Sequence, residues 1–424
     1  MMIPIFPELD KNKKTIEGVK IKKLIEQYGS PLFVMSGRII REKHRIFSEA
    51  LAKYYSNSQI AYSVKTNYLP GVVNTLKALG CWAEAVSGFE YWLAKKLNFP
   101  GNQIIFNGPD KKTEEIETAV KEGALLNVDN QAELQRLIEI AEKAVGSVKI
   151  GLRVNAKVGQ YPWSRFGFNL ENGEAYEAVK MINKNHPNIG LSGLHTHIGT
   201  NLNEPKYYFE IAEKISDFAL NLKKGFGIDL EYLDLGGGFA VPGSRWLNNP
   251  VWVVPEIEEY IKSIAEAIEK RWLGKKPKLF FEPGRYLVDE AGIFMTTVGN
   301  QKKIEPGHLV NVDSSIYTQL QAVGYRKNII DVIQENTSEY VDETPTWIGG
   351  NSCIGTDFLA QSAPLPELRA GDILVFYNAG AYTMVRSEQW INTRPAVVMI
   401  KENGSVECIR RKEDYENMIA LDEF

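Results

Sequence analysis

In the stretch AYSVKTN, residues 61–67, an apolar, β-prone run stops on a lysine with small polar residues close behind. Lys65 is either the point where a strand meets water, the commoner fate of a lysine, or an amine kept for nucleophilic chemistry such as Schiff-base formation. LEYLDLGGGF ends a second apolar run on Gly236, Gly237 and Gly238. With no Cβ in the way, their backbone N–H groups can close on an anion, although a glycine turn also serves tight packing alone. The loop matches neither the GxGxxG dinucleotide fingerprint nor the Walker lysine motif, which favours a phosphate without a nucleotide. GLHTHIGTN sets His195 and His197 at i and i+2, on one face if the strand runs through both. They read as a metal pair without a third ligand nearby, as rim or core histidines, or as a ring stacked on a flat cofactor. Thr200 adds a hydroxyl to the phosphate site. FFEPGR places Glu282 and Arg285 around a rigid Pro-Gly turn. They form an ion pair, or face a pocket separately, the acid toward a protonated ring nitrogen and the arginine toward a carboxylate. Amine, phosphate loop, stacking ring and ring-nitrogen acid are together what pyridoxal 5'-phosphate needs.

For these residues to meet, their runs must converge. From about residue 58 to 282, eight β-rich runs alternate with helical periodicity, as over 113–122, 131–144, 207–223 and 254–272. The alternation predicts an α/β fold, a (β/α)8 TIM-type barrel over 36–282, with function at the strand ends. Those ends carry Lys65, Glu84, Asn107, Arg153, His197, the glycine triplet and 282–285. After Glu282, short β-rich runs punctuated by Gly, Pro and Asn predict a mostly antiparallel β domain over 283–424, with ENGS as a hairpin turn. Residues 1–35 hold a helix at 20–27 and a strand, PLFVM, expected to pack with that β domain.

Composition narrows the classes. The chain has 424 residues, 44% hydrophobic and 24% charged, with a net charge of −4. No basic stripe interleaved with aromatics marks a nucleic-acid binder. No run has the length of a membrane span or of a signal-peptide core, so the expectation is a cytoplasmic protein. Cys81, Cys353 and Cys408 are odd in number and lack CxxC spacing, which indicates neither a disulfide framework nor a zinc cluster.

In chain order, YSVKTN, EAVSGFE, IIFNGPDK, LRVN, RFGF, HTHIGTN, DLGGGF, EPGRYLV, NSCIGTD and NAGAYT resemble the fold type III pyridoxal-phosphate decarboxylases. That group contains the ornithine, arginine and diaminopimelate enzymes, shares the alanine-racemase-like architecture, and is most similar to this chain in its diaminopimelate branch. The resemblance implies that Lys65 carries the cofactor as a Schiff base, that His197 stacks on its ring, and that Glu282 pairs with the pyridine nitrogen. Thr200, Gly236, Gly237, Gly238, Gly284 and Tyr382 would surround the cofactor's phosphate end, with Glu84 near the Schiff base where an aspartate is commoner. Arg285 would hold a substrate carboxylate beside the cofactor, with Tyr382 also near the substrate. Cys353, followed by Asp357, would reach the active site of a neighbouring subunit, which implies a homodimer. Cys353 is then the expected α-carbon acid, with Lys65 as the fallback donor. Glu282 favours decarboxylation over racemisation, since the barrel-fold alanine racemases carry an arginine there.

Two positions depart from the pattern. Ile354 stands where an acid reads the substrate's distal amine, and Gln321, upstream of Tyr325, where an arginine grips a carboxylate. Each loss costs roughly 1–3 kcal/mol if the groups are desolvated. The expectation is a pyridoxal-phosphate-dependent amino-acid decarboxylase with an altered distal end to its substrate. The alternatives are meso-diaminopimelate, with Arg326 compensating, and a non-catalytic pyridoxal-phosphate-binding protein.

Overall fold

The computed structural model describes residues 5–144, 146–159, 164–242, 245–246, 254–305, 307–318, 326–327, 329–334 and 345–423. Eight parallel strands follow the expected runs: β1 (Ser58–Ser63), β2 (Trp82–Ala85), β3 (Ile104–Phe106), β4 (Leu125–Val128), β5 (Val148–Asn155), β6 (Ile189–His195), β7 (Tyr232–Asp234) and β8 (Lys278–Phe281). They pair in sequence, β8 returns to β1, and the β4–β5 pairing closes the barrel. Two of the helices between them start on side-chain caps: Ser87 accepts from Glu90 N, and Asn130 from Glu133 N. Each cap satisfies an otherwise orphaned N–H at the helix entrance.

Period-two alternation sorts the barrel interior into layers. Ala61, Trp82, Ile105, Leu125, Tyr232 and Phe280 form an apolar floor cluster. Two residues farther along the same strands stand Ser63, Glu84, Asn107, Asn127, Asp234 and Glu282, all buried. On β5 and β6 the floor positions are Gly151 and Gly193, followed by Arg153 and His195. A Cβ on Gly151 would lie 2.2 Å from the Tyr232 hydroxyl, and one on Gly193 2.3 Å from its ring. The tyrosine ring therefore fills the space that two side chains would otherwise take.

The second sheet is mostly antiparallel and runs from Gly292–Ile304 to Val406–Arg410. PLFVM enters it: Leu32–Ser36 pairs antiparallel with Gly292–Ile304 and parallel with Ala396–Ile400. Ala396–Ile400 and Val406–Arg410 form the hairpin expected around ENGS. The helix Gly37–Tyr54, capped by Ser36, then leads into β1. Among the described residues, no helix is long and apolar enough to cross a membrane.

One expectation fails here. β6 ends at His195, paired with Asp234, so the strand does not run through both histidines. His195 faces the interior at 1% exposure, whereas His197 sits in the loop beyond, half-buried at the cavity wall.

Candidate active site

Above the polar layer, at the C-terminal ends of the strands, lies a cavity of about 350 Å³. Lys65, Glu84, His197, Thr200, Gly238, Glu282, Gly284, Arg285 and Tyr382 line it, so most of the expected site residues meet at one place. Lys65 sits in the single turn Val64–Thr66 that ends β1. Its Nζ lies 2.5 Å from Glu84 Oε2, and Ser63 Oγ donates to the same oxygen at 2.7 Å. Burial lowers the amine's pKa, but the charges of Glu84, Tyr382 and Glu282 outweigh it and leave it raised. The amine is thus held as an ammonium by a paired carboxylate, which answers the solvation question that a lysine ending a core strand raises.

Asn107 joins the two acids. Its Nδ2 donates to Glu84 Oε1 at 3.1 Å and to Glu282 Oε1 at 2.6 Å, while its Oδ1 accepts from Asn127 Nδ2 at 2.9 Å. Tyr232 in the floor then donates to Asn127 Oδ1 at 2.9 Å. Glu282 Oε2 lies 3.4 Å from His195 Nε2. Burial raises the Glu282 carboxyl, yet the nearby His195 and Lys65 draw it below the usual range, so it is an anion at neutral pH. Glu282 and Arg285 are not an ion pair. Arg285 approaches Asp289 at 3.7 Å and covers the Tyr382 ring at 5.1 Å.

The glycine loop turns its carbonyls away from the cavity. Gly236 O accepts from Glu282 N, Gly237 O from the Tyr208 hydroxyl, and Gly238 O from Leu202 N. A Cβ on Gly237 would lie 2.2 Å from Glu282 O, and one on Gly238 2.1 Å from Gly199 O. Gly236 N donates to Asp234 and Gly237 N to His197, so of the three it is Gly238 N that is left to meet an anion, at a close approach that holds only while the loop stays glycine. Thr200 stands exposed at its rim. A Cβ on Gly284 would meet Thr66 Oγ1 at 2.0 Å, so the chain after β8 is pressed against the turn that carries Lys65. Tyr382 comes from the β domain, tied to that same turn by Tyr382 N to Thr66 O at 2.9 Å.

His197 Nδ1 accepts from Gly237 N at 3.3 Å. Burial first, then Arg153 and Lys65, push its pKa down to about 3, so a neutral, flat imidazole faces the cavity. Ammonium, buried anion, neutral ring and glycine cradle fit pyridoxal phosphate in charge and shape.

Several lining residues had no role assigned from sequence. Ser63 and His195 carry the network just described, while Arg153 stacks on Phe166 at 4.7 Å and approaches Asp129 at 3.4 Å. Arg165 covers the same ring at 4.0 Å. The polar ending of each apolar run was the signal for Asn107 and Arg153, and RFGF the signal for Arg165.

Cys353 and Ile354 are exposed on the 351–357 loop of the β domain, and neither lines this cavity. Asp357, expected with Cys353 at a neighbouring site, is held within its own chain here. It is 4% exposed, accepting from Ile316 N at 2.9 Å and Ser352 N at 3.1 Å, so its carboxylate is spent holding its own loop. Gln321 and Tyr325 lie outside the described residues, as does the Arg326 side chain.

Residues 38–289 match the pyridoxal binding domain of the pyridoxal-dependent decarboxylases. The chain is 32% identical to a diaminopimelate decarboxylase of Aquifex aeolicus, covering 95% of this chain and 94% of that protein. It is 30% identical to one of Methanothermobacter thermautotrophicus, over 98% and 97%. The crystal structure of the Methanocaldococcus jannaschii diaminopimelate decarboxylase with L-lysine superposes with a TM-score of 0.89 at 27% identity, covering 100% of this chain and 99% of that one. Barrel, cradle and kinship agree over almost the whole length: the chain belongs to the pyridoxal-dependent decarboxylases and is a pyridoxal-phosphate-dependent amino-acid carboxy-lyase.

Proposed function

We propose that this decarboxylase removes the α-carboxylate of an amino acid whose distal end differs from the charged end of diaminopimelate. The observation that carries this reading is the 351–357 loop, whose one acid, Asp357, is buried and satisfied by backbone N–H groups, leaving Ile354 exposed beside Cys353. An ammonium facing that loop would meet no carboxylate from it, and a desolvated, unpaired charge is costly.

Bound to Lys65, pyridoxal phosphate supplies the electron sink that accepts the pair left when CO2 departs. The residues of this chain do the rest. Glu84 and Ser63 hold the Lys65 amine, and Glu84 Oε2 would take the proton that Lys65 Nζ gives up and return it when the amine is freed. His197 packs against the ring position as a neutral face. Glu282, fixed by Asn107, keeps negative charge opposite the ring nitrogen. Arg285 orients a substrate carboxylate, and the glycine loop with Thr200 and Tyr382 takes the phosphate. Cys353, exposed in a single chain, gives its Sγ proton to the α-carbon in the site of a second copy, which makes the working unit a homodimer.

A second reading, meso-diaminopimelate itself, is favoured by the full-length similarity to diaminopimelate decarboxylases. A CO2-release screen across meso-diaminopimelate, ornithine, lysine, arginine and acylated diamino acids separates the two. Preference for an acylated or otherwise uncharged tail is expected. Robust turnover of meso-diaminopimelate overturns the altered-tail reading, and a yellow protein that releases CO2 from none of them counts against both.

A further inference from the structure

Four acids face the barrel's polar layer, Glu84 from β2, Asp129 from β4, Asp234 from β7 and Glu282 from the end of β8, none more than 5% exposed. Three have an assigned counter-charge. Glu84 is paired with Lys65, Asp129 with Arg153, and Glu282 lines the cavity with His195 Nε2 at 3.4 Å. Asp234 has no lysine or arginine in direct ion-pair contact among the described residues; Arg153 feels its charge but makes its contact with Asp129. Asp234 Oδ1 accepts from Gly236 N at 2.9 Å, but its Oδ2 is fully buried with no hydrogen-bond partner. Asp234, Glu282 and His195 of β6 each bring one polar atom to a common spot, all within 4.8 Å of one another.

A buried carboxylate without a cation protonates rather than stays charged, and two neighbouring carboxyls separate into one acid and one anion. We infer that Asp234 is held as the neutral acid and directs its O–H toward Glu282, a positioning residue that keeps Glu282 the anion of the pair. Burial and the charge of Glu282 both push the Asp234 carboxyl well above its ordinary value, against the pull of the Gly236 N–H, while Glu282 moves the other way. The other groups that act on the pair are the neutral hydroxyl of Tyr232 from β7, the imidazole of His195 from β6, and the charges of Arg153 from β5, Glu84 from β2 and Lys65 after β1. With Asn107 on Oε1 and an Asp234 oxygen within 4.8 Å of the same carboxyl, Glu282 is held from two strands. A cation bound by His195, Asp234 and Glu282 is the competing use of the same atoms, and it would draw Glu282 away from the ring nitrogen.

Infrared difference spectroscopy of the holoenzyme, with and without isotope-labelled aspartate, reads the proton directly. A carbonyl stretch of a protonated aspartic acid is expected between about pH 6 and 9, lost in Asp234→Asn. That variant retains an acceptor for Gly236 N and a donor toward Glu282, so its visible cofactor spectrum should stay as in the parent. Asp234→Ala lacks both and should weaken pyridoxal phosphate binding by about tenfold or more. Absence of the band, a changed cofactor spectrum in Asp234→Asn, or stoichiometric metal in the purified protein would each overturn the assignment. Should Asp234→Ala not fold, the band and its loss in Asp234→Asn still decide.

Discussion

Asn107 gives the sharpest stability test of the site, because one amide serves two buried anions. Replacing it by leucine nearly keeps its volume, so little cavity cost enters and the change isolates the hydrogen bonds. The bonds lost are those to Glu282 at 2.6 Å and Glu84 at 3.1 Å, with Asn127 Nδ2 left unmatched. At roughly 1.5–3 kcal/mol for each bond to a charged group and about 1 for the neutral one, the sum reaches about 4–7 kcal/mol. Each carboxylate keeps a second neighbour, Lys65 beside Glu84 and His195 beside Glu282, which recovers some of this and leaves an expected loss of about 2–4 kcal/mol. Urea unfolding of holoenzyme and variant with matched slopes measures it. Asn107→Asp supplies the control of sign. It places a third carboxyl between two acids, so one of the three must take a proton and its folded-state pKa rises. The proton is bound more tightly in the folded state, so this variant should be nearest the parent below about pH 4 and lose stability as pH rises through the raised value. A leucine variant within about 1 kcal/mol of the parent, or an aspartate variant without that pH trend, refutes the bridging role.

Burial, then the charge of Glu84, raises the Glu90 carboxyl from its ordinary 4.5 to about 7. Its stabilising share is present below the ordinary value and lost as pH rises toward 7, so Glu90→Gln should be the more stable protein above pH 7, by at most about 3 kcal/mol, and equal to the parent near pH 4 in thermal melts. Gly237→Ala should abolish the yellow colour of the purified protein, because its Cβ would lie 2.2 Å from Glu282 O and push the cradle off the anion; normal cofactor titration would remove the close-approach argument. Cys353→Ala should keep the visible spectrum and slow CO2 release by about a hundredfold; unchanged turnover removes the cysteine as proton donor. Borohydride should attach the cofactor to the peptide holding Lys65, and labelling elsewhere overturns the amine assignment.

What could be read from sequence follows from how far each feature's cause lies along the chain. A β-rich apolar run that stops on Lys65, Glu84 or Asn107 shows its anomaly within a few residues, so the site's position at the strand ends was legible. That Asn107 bridges Glu84 and Glu282 was not, because the bridge spans 23 residues in one direction and 175 in the other and exists only once β8 returns to β1. The histidine pair shows the same limit at short range. His195 and His197 look equivalent by spacing, and they part company because β6 stops where its pairing with β7 stops, at His195 and Asp234. Gly151 and Gly193 carry no signal in the sequence, and their place is explained by the Tyr232 ring lying across both.

Asp357 shows why the distal end of the substrate is the last feature to emerge. By resemblance alone, the acid four residues beyond Cys353 is expected to help complete a neighbouring site. The turn from Ile354 to Asp357, closed by Asp357 N to Ile354 O at 3.0 Å, swings it inward beneath Ile316 and Ser352. The same inversion gives Ile354 its weight. If Asp357 pointed outward, it could replace the carboxylate that Ile354 does not supply, and the loop would keep a reader for a distal ammonium. With Asp357 committed to two backbone N–H groups, drawing it out would leave both donors unmatched, at about 1–3 kcal/mol each if they stay buried. On the altered-tail reading proposed above, the loop's stability and its capacity to read an ammonium would compete for one carboxylate, which offers nothing outward while Ile316 N and Ser352 N hold it.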